Sequence, residues 1–122
     1  MNKEFIPYEQ ALKLKELGFD EECLAHTPLM ELHKTDYNVF GELKDIRIGL
    51  PLYQQAFRWF REKYGYMGKV DAFFYPIGYT FRIDNLKDEV IVSWGEPEND
   101  FETYEEAELA CLNKLIELVK NI

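Results

Sequence analysis

Cysteine is scarce in this 122-residue chain: only Cys23 and Cys111 occur. Two cysteines cannot build the disulfide framework of a small secreted scaffold. No apolar run approaches the roughly 20 residues needed to span a bilayer. The opening MNKEFIPYEQ is polar and soon enters a helical pattern, unlike a secretory signal. There is no glycine-rich phosphate loop and no serine-centred nucleophile elbow, so no cofactor is expected. Internal repeats and low-complexity stretches are missing too. Positive charge is in short supply, with 14 Lys and Arg against 23 Asp and Glu and a formal net charge of −9. That sign argues against non-specific binding to nucleic acid or to acidic membranes. These features together lead us to expect a cytoplasmic protein without a membrane partner.

What the chain does have is apolar and aromatic bulk. Hydrophobic residues make up 47%, and the 9 Phe, 8 Tyr and 2 Trp are many for a small domain. A chain of this length reads as a single domain, residues 1–122. It can bury roughly two-thirds of its unfolded surface without a metal or a disulfide. The charge is unevenly spread. Residues 1–43 hold four basic against nine acidic side chains, residues 44–82 hold seven against three, and residues 83–122 hold three against eleven. The basic middle is expected to face the acidic flanks within the fold.

Residues 50–66, LPLYQQAFRWFREKYGY, are the stretch the rest is organised around. At about 100° per residue, a helix over 51–64 gathers Leu52, Tyr53, Ala56, Phe57, Trp59, Phe60 and Tyr64 on one side. Gln54, Gln55, Arg58, Arg61 and Glu62 fall on the other, and only Lys63 intrudes on the apolar stripe. Pro51 suits a first helical turn and Gly65 a C-terminal cap. A first helix is expected over 7–17, ended by Gly18 and Phe19. A last one follows the capping box Thr103-Tyr104-Glu105-Glu106, with a wide stripe from Tyr104 to Val119. Between the central and last helices, residues 70–75, 79–83 and 89–94 read as three strands. Pro76-Ile77-Gly78 is expected to form a hairpin loop using a positive φ at Gly78. Val90, Val92 and Trp94 are expected on one face. Residues 23–35 suggest a short hairpin, and residues 46–48 a brief strand. The expected fold class is α+β: a small antiparallel sheet with helices packed on one face.

Three stretches carry a resemblance: YEQALKLKELGFDEEC at 8–23, PLYQQAFRWFREKYG at 51–65 and ETYEEAELACLNKLIELVK at 102–120. Together they resemble a family of short proteins of no assigned activity, encoded by gut bacteria and their phages and mobile elements. The resemblance spans about 50 positions and implies a shared fold and a phage- or mobile-element-associated setting. It brings no catalytic residues with it.

Candidate chemistry is thin. Cys23, His26, His33 and Asp36 could ligate a metal, but their spacing matches no zinc pattern, and no metal site is expected. Cys23 beside either histidine could act as a nucleophile, although nothing marks an orienting group. Glu108 falls inside the apolar stripe of the last helix, between Tyr104, Cys111, Leu112 and Leu115. The expectation is that the helix start overhangs the core and this carboxylate reaches water. A raised pKa or a pocket beside it would instead point to a small enzyme. Arg58, Arg61 and Lys69, near Trp59 and Tyr66, are read as a candidate binding set combining charge and stacking surface. The leading expectation is a non-enzymatic accessory protein acting through a protein partner or as a homodimer, because aromatics and Arg are enriched at interfaces. The alternatives are a nucleic-acid-associated protein using the basic middle, and a small enzyme using Glu108 or Cys23.

Overall fold

The fold was read from a computed structural model that describes residues 4–23, 25–26, 49–74, 77–94 and 101–121. Helix α1 runs Tyr8–Glu16, with Pro7 in extended conformation at its N-cap. Helix α2 runs Tyr53–Tyr64 and ends on Gly65 at φ 75°, where a side chain would be strained. The helix therefore starts two residues later than the stripe suggested. The reason lies outside it: the Ile6 amide donates to the Pro51 carbonyl at 3.0 Å, and the Tyr53 amide donates to the Glu4 carbonyl at 3.0 Å. Phe5 and Leu52 form an antiparallel bridge. Pro51 and Leu52 are thus held extended by the N-terminal segment. Helix α3, Tyr104–Lys120, begins as expected, with the Glu106 amide donating to Thr103 Oγ1 at 3.1 Å. Among the described residues only this half of the capping box forms.

Strands β1 (Ala25–His26) and β2 (Gly49–Leu50) pair antiparallel with each other. Residues 25–26 therefore find their partner far along the chain rather than in a local hairpin; residues 30–35 and 46–48 lie outside the described residues. Strands β3 (Tyr66–Phe73), β4 (Gly78–Asn85) and β5 (Val90–Trp94) form an antiparallel sheet in the order β3-β4-β5. Gly78 pairs with Phe73 as the first residue of β4 and is not among the positive-φ residues. Its glycine is needed for a different reason: a Cβ there would come within 2.5 Å of the Phe73 ring. The expected alternation in β5 also fails. Ile91 lies opposite Asp84, but Ser93, two residues on rather than one, lies opposite Ile83. This bulge puts the two halves of the strand out of phase, and Val90, Ile91 and Val92 all remain exposed.

One face of the sheet carries the helices. Phe81 and Ile83 are buried on it, opposite Val70 and Gly68 of β3. Gly68 lets β3 approach α3 closely, because a Cβ there would sit 2.8 Å from Cys111 Sγ and 3.1 Å from Leu115 Cδ1. Helix α3 lies across β3 and β4, α2 packs on β3 and against α3, and α1 packs against α3. Ile6, Leu14, Ala56, Phe60, Cys111, Leu112 and Leu115 form the middle of the core. On the other face, Arg82 makes a two-pronged ion pair with Asp84, at 2.9 and 3.0 Å. No helix among the described residues is long and apolar enough to cross a membrane.

Candidate functional site

The docking of the N-terminal segment onto the entry of α2 has a second consequence. It leaves a recess where the starts of α2 and α3 meet. The cavity holds about 350 Å³. Glu4 lines it from the N-terminal segment; Leu52, Tyr53, Gln54 and Phe57 from the start of α2; and Tyr104, Glu105 and Glu108 from the start of α3. Among the described lining residues three carry aromatic rings, and the ionisable groups other than the tyrosines are three carboxyls.

Glu108 is the centre of the site's electrostatics. It lies one turn into α3, on the side that faces the core, and is half-buried. Burial, and then the neighbouring charge of Glu105, push its carboxyl from 4.5 up to about 7. Among the described residues no Lys, Arg or His lines the cavity, and Glu108 makes no ion pair. Its charge is felt around it. Burial and then Glu108 push the Tyr53 phenol up to about 12. Burial pushes Tyr104 up first, with Glu108, Cys111 and Glu105 adding to it. Behind Glu108, burial drives the Cys111 thiol to about 12, opposed by a hydrogen bond with the Lys69 backbone and reinforced by Glu108. Tyr53 is only 6% exposed, and its hydroxyl has no hydrogen-bond partner among the described residues.

The arrangement suits binding of a small group, or proton exchange at Glu108. Its size falls within the range of ligand sites, which combine apolar walls with a few polar groups. A second, more open recess of about 320 Å³ lies between α1 and α3. There Gln10 Nε2 donates to Asn113 Oδ1 at 3.1 Å and ties the two helices together.

The residues singled out from sequence are dispersed by comparison. Trp59 is 6% exposed, packed edge-on against Phe19, Phe60 and Tyr64, so its face is not offered to a stacking base. Arg58 is exposed and reaches Glu21 Oε1 at 3.7 Å; the adjoining Gln55 Nε2 donates to Glu21 Oε1 at 3.2 Å and to the Glu22 carbonyl at 2.8 Å. Arg61 is exposed further along α2. Tyr66 packs partly against the core, and Lys69, an odd number of residues along β3, faces the other way. These five residues do not share one surface. The acids at 96–100, part of the acidic flank expected to face the basic middle, lie outside the described residues, as do His33 and Asp36. Cys23 is half-buried, and its thiol is pushed up by burial and then by Glu21, the reverse of an activated nucleophile.

Of the cavity's residues, only Glu108 was flagged by the sequence, through its place inside an apolar stripe. Tyr53 and Phe57 were read as core, and Glu4 carried no signal, because its role depends on a contact with a segment almost fifty residues away. When compared with protein-family models, curated proteins and solved structures, the chain matches none.

Proposed function

We propose that this is a non-enzymatic binding protein that works by seating a ligand, or a side chain of a partner protein, in the Tyr53–Glu108 cavity. The observation that carries the reading is a half-buried carboxyl facing an aromatic recess that, among the described residues, supplies no counter-charge. Folding alone gains nothing from such a group, since an apolar residue in the same stripe would avoid its desolvation. The accessory role in phage or mobile-element biology stays part of this proposal on the strength of the resemblance alone. The free thiols of Cys23 and Cys111 support placing the protein in the reducing cytoplasm.

Mapping by amide NMR during a screen of small fragments of mixed charge tests the reading. Shifts are expected to concentrate at residues 52–57 and 104–108. Binders that map instead to the Arg58 and Arg61 side of α2 would contradict it.

A second reading, a small enzyme, has the two observations that the sequence reading set as its marks: a raised Glu108 pKa and a cavity beside it. A carboxyl that titrates near neutrality can both give and take a proton at working pH. On that reading the cavity turns a substrate over, and Glu108→Gln abolishes turnover while leaving substrate affinity largely intact. The two flanking phenols are both pushed upward and make poor partners in base catalysis, which is why binding is the reading we favour.

A further inference from the structure

We propose that the cavity takes an organic cation: a primary ammonium or guanidinium group carried on an apolar stem. The proposal rests on reading the cavity as a binding site and adds the charge and shape of what fills it. Four observations point the same way. Among the described residues, carboxyls of Glu4, Glu105 and Glu108 line the recess and no basic side chain does. An anion would meet only repulsion there, and a neutral ligand would leave the Glu108 charge uncompensated. The walls are the rings of Tyr53, Phe57 and Tyr104, whose faces attract cations. The Tyr53 side chain, nine-tenths buried, lines the cavity with a hydroxyl that has no partner among the described residues, and its oxygen can accept from an N–H donor.

The fourth observation concerns size. Among the described residues, no three His, Cys, Asp or Glu side chains converge as a metal site requires, and about 350 Å³ is far more room than a bare ion fills. An ammonium or guanidinium group on an apolar stem uses both the acids and the rings. The chain already shows this chemistry internally, with Lys63 Nζ 5.0 Å from the centre of the Trp59 ring. The net charge of −9 further raises the local concentration of cations.

Binding of a cation would draw Glu108 into its charged form and release a proton. The titrating groups that face Glu108 are Glu4 on the N-terminal segment, Tyr53 on α2, and Tyr104, Glu105 and Cys111 on α3. None of these groups carries positive charge. Affinity therefore rises with pH through the neutral range.

The test compares benzylamine with its neutral counterpart benzyl alcohol and its anionic counterpart phenylacetate, by amide NMR titration of the full chain. Benzylamine is expected to shift residues 52–57 and 104–108 and to bind about tenfold tighter than benzyl alcohol at about pH 8. Its affinity should drop several-fold at about pH 6, and phenylacetate should not bind. Glu108→Gln should remove most of the preference, and Glu105→Gln, whose side chain is exposed, serves should the first variant misfold. Cadaverine and a lysine residue capped at both ends separate two sources of the group. Tighter binding of the first assigns a free amine, and tighter binding of the second a partner's side chain; either supports the proposal. If benzyl alcohol binds the cavity as tightly as benzylamine, the cation class is overturned while the binding site stands. If no compound of any charge shifts these residues, the binding site falls with it.

Discussion

Helix α2 contributes to two aromatic clusters, and they are built alike but finished differently. Towards its C-terminal end Trp59, Phe60 and Tyr64 close with Phe19 into a set of edge-on contacts 5.0 to 5.6 Å between ring centres for the three Trp59 pairs. One charged side chain joins them, Lys63, and it sits over the rings of Trp59 and Tyr64. At the N-terminal end Tyr53 and Phe57 meet at 6.1 Å, with Tyr104 across the recess. The charged side chains here are acids, Glu108 the most enclosed among them by its raised pKa, and the electron-rich ring faces do not attract them. The first cluster supplies its own cation and is closed. The second has acids and rings and stays open, and among the described residues no positive group lines it. Aromatic content alone therefore does not separate core from site; the sign of the accompanying charge does.

The largest expected effect tests whether the closed cluster is core and the open one is not. Phe60 is fully buried, so Phe60→Ala should lower stability by roughly 3–5 kcal/mol. Leu115→Ala, also fully buried beneath α3, belongs to the same class at roughly 2–5 kcal/mol. Phe57 is only partly buried, and Phe57→Ala should cost about 1–2 kcal/mol, since a wall already open to water leaves little new cavity. Denaturant midpoints decide; equal losses at Phe57 and Phe60 would erase the distinction.

The next effect is smaller and of opposite sign. The folded protein raises Glu108 from 4.5 to about 7, so it holds that proton more tightly than the unfolded chain does. The stability this group contributes is fully present below about pH 4.5 and is lost as pH rises through about 7. Glu108→Gln should thus be close to neutral at about pH 4 and stabilising at about pH 8. Water reaching the carboxyl through the cavity reduces the gain to about 1–2 kcal/mol. Urea unfolding of both proteins at the two pH values checks the sign. The smallest effect is on the other cluster: Lys63→Gln removes the cation above Trp59 and should cost about 0.5–1 kcal/mol, with little dependence on pH in the same range. Fluorescence of Trp59 follows it directly.

The parts of the fold legible in the sequence were those decided locally. Gly65 after an amphipathic run, Thr103 before one, and the alternation of Phe81 and Ile83 with Arg82 each state their structure within a few residues. Missed features depended on distant partners. Residues 25–26 pair with 49–50, the bulge opposite Ile83 and Asp84 reverses the phase of β5, and Gly78 answers to the Phe73 ring rather than to a turn. The cavity falls between these cases. Glu108 was conspicuous because an acid inside an apolar stripe is a local anomaly. Its surroundings were not, because the segment that shortens α2 and brings Glu4 to the rim is specified by backbone hydrogen bonds, which any residue can make. Grouping Arg58, Trp59 and Arg61 by adjacency went astray for the same geometric reason that made the helix recognisable: neighbours in sequence lie about 100° apart.

The measurement that bears most directly on all of this is the titration of the Glu108 side-chain carboxyl carbon by NMR in the free protein, assigned by its loss in Glu108→Gln. A midpoint near 7 is the expected result, moving downward when benzylamine is added. A midpoint near the ordinary 4.5, unmoved by the amine, would mean that Glu108 is a solvated surface acid and that the recess is no site.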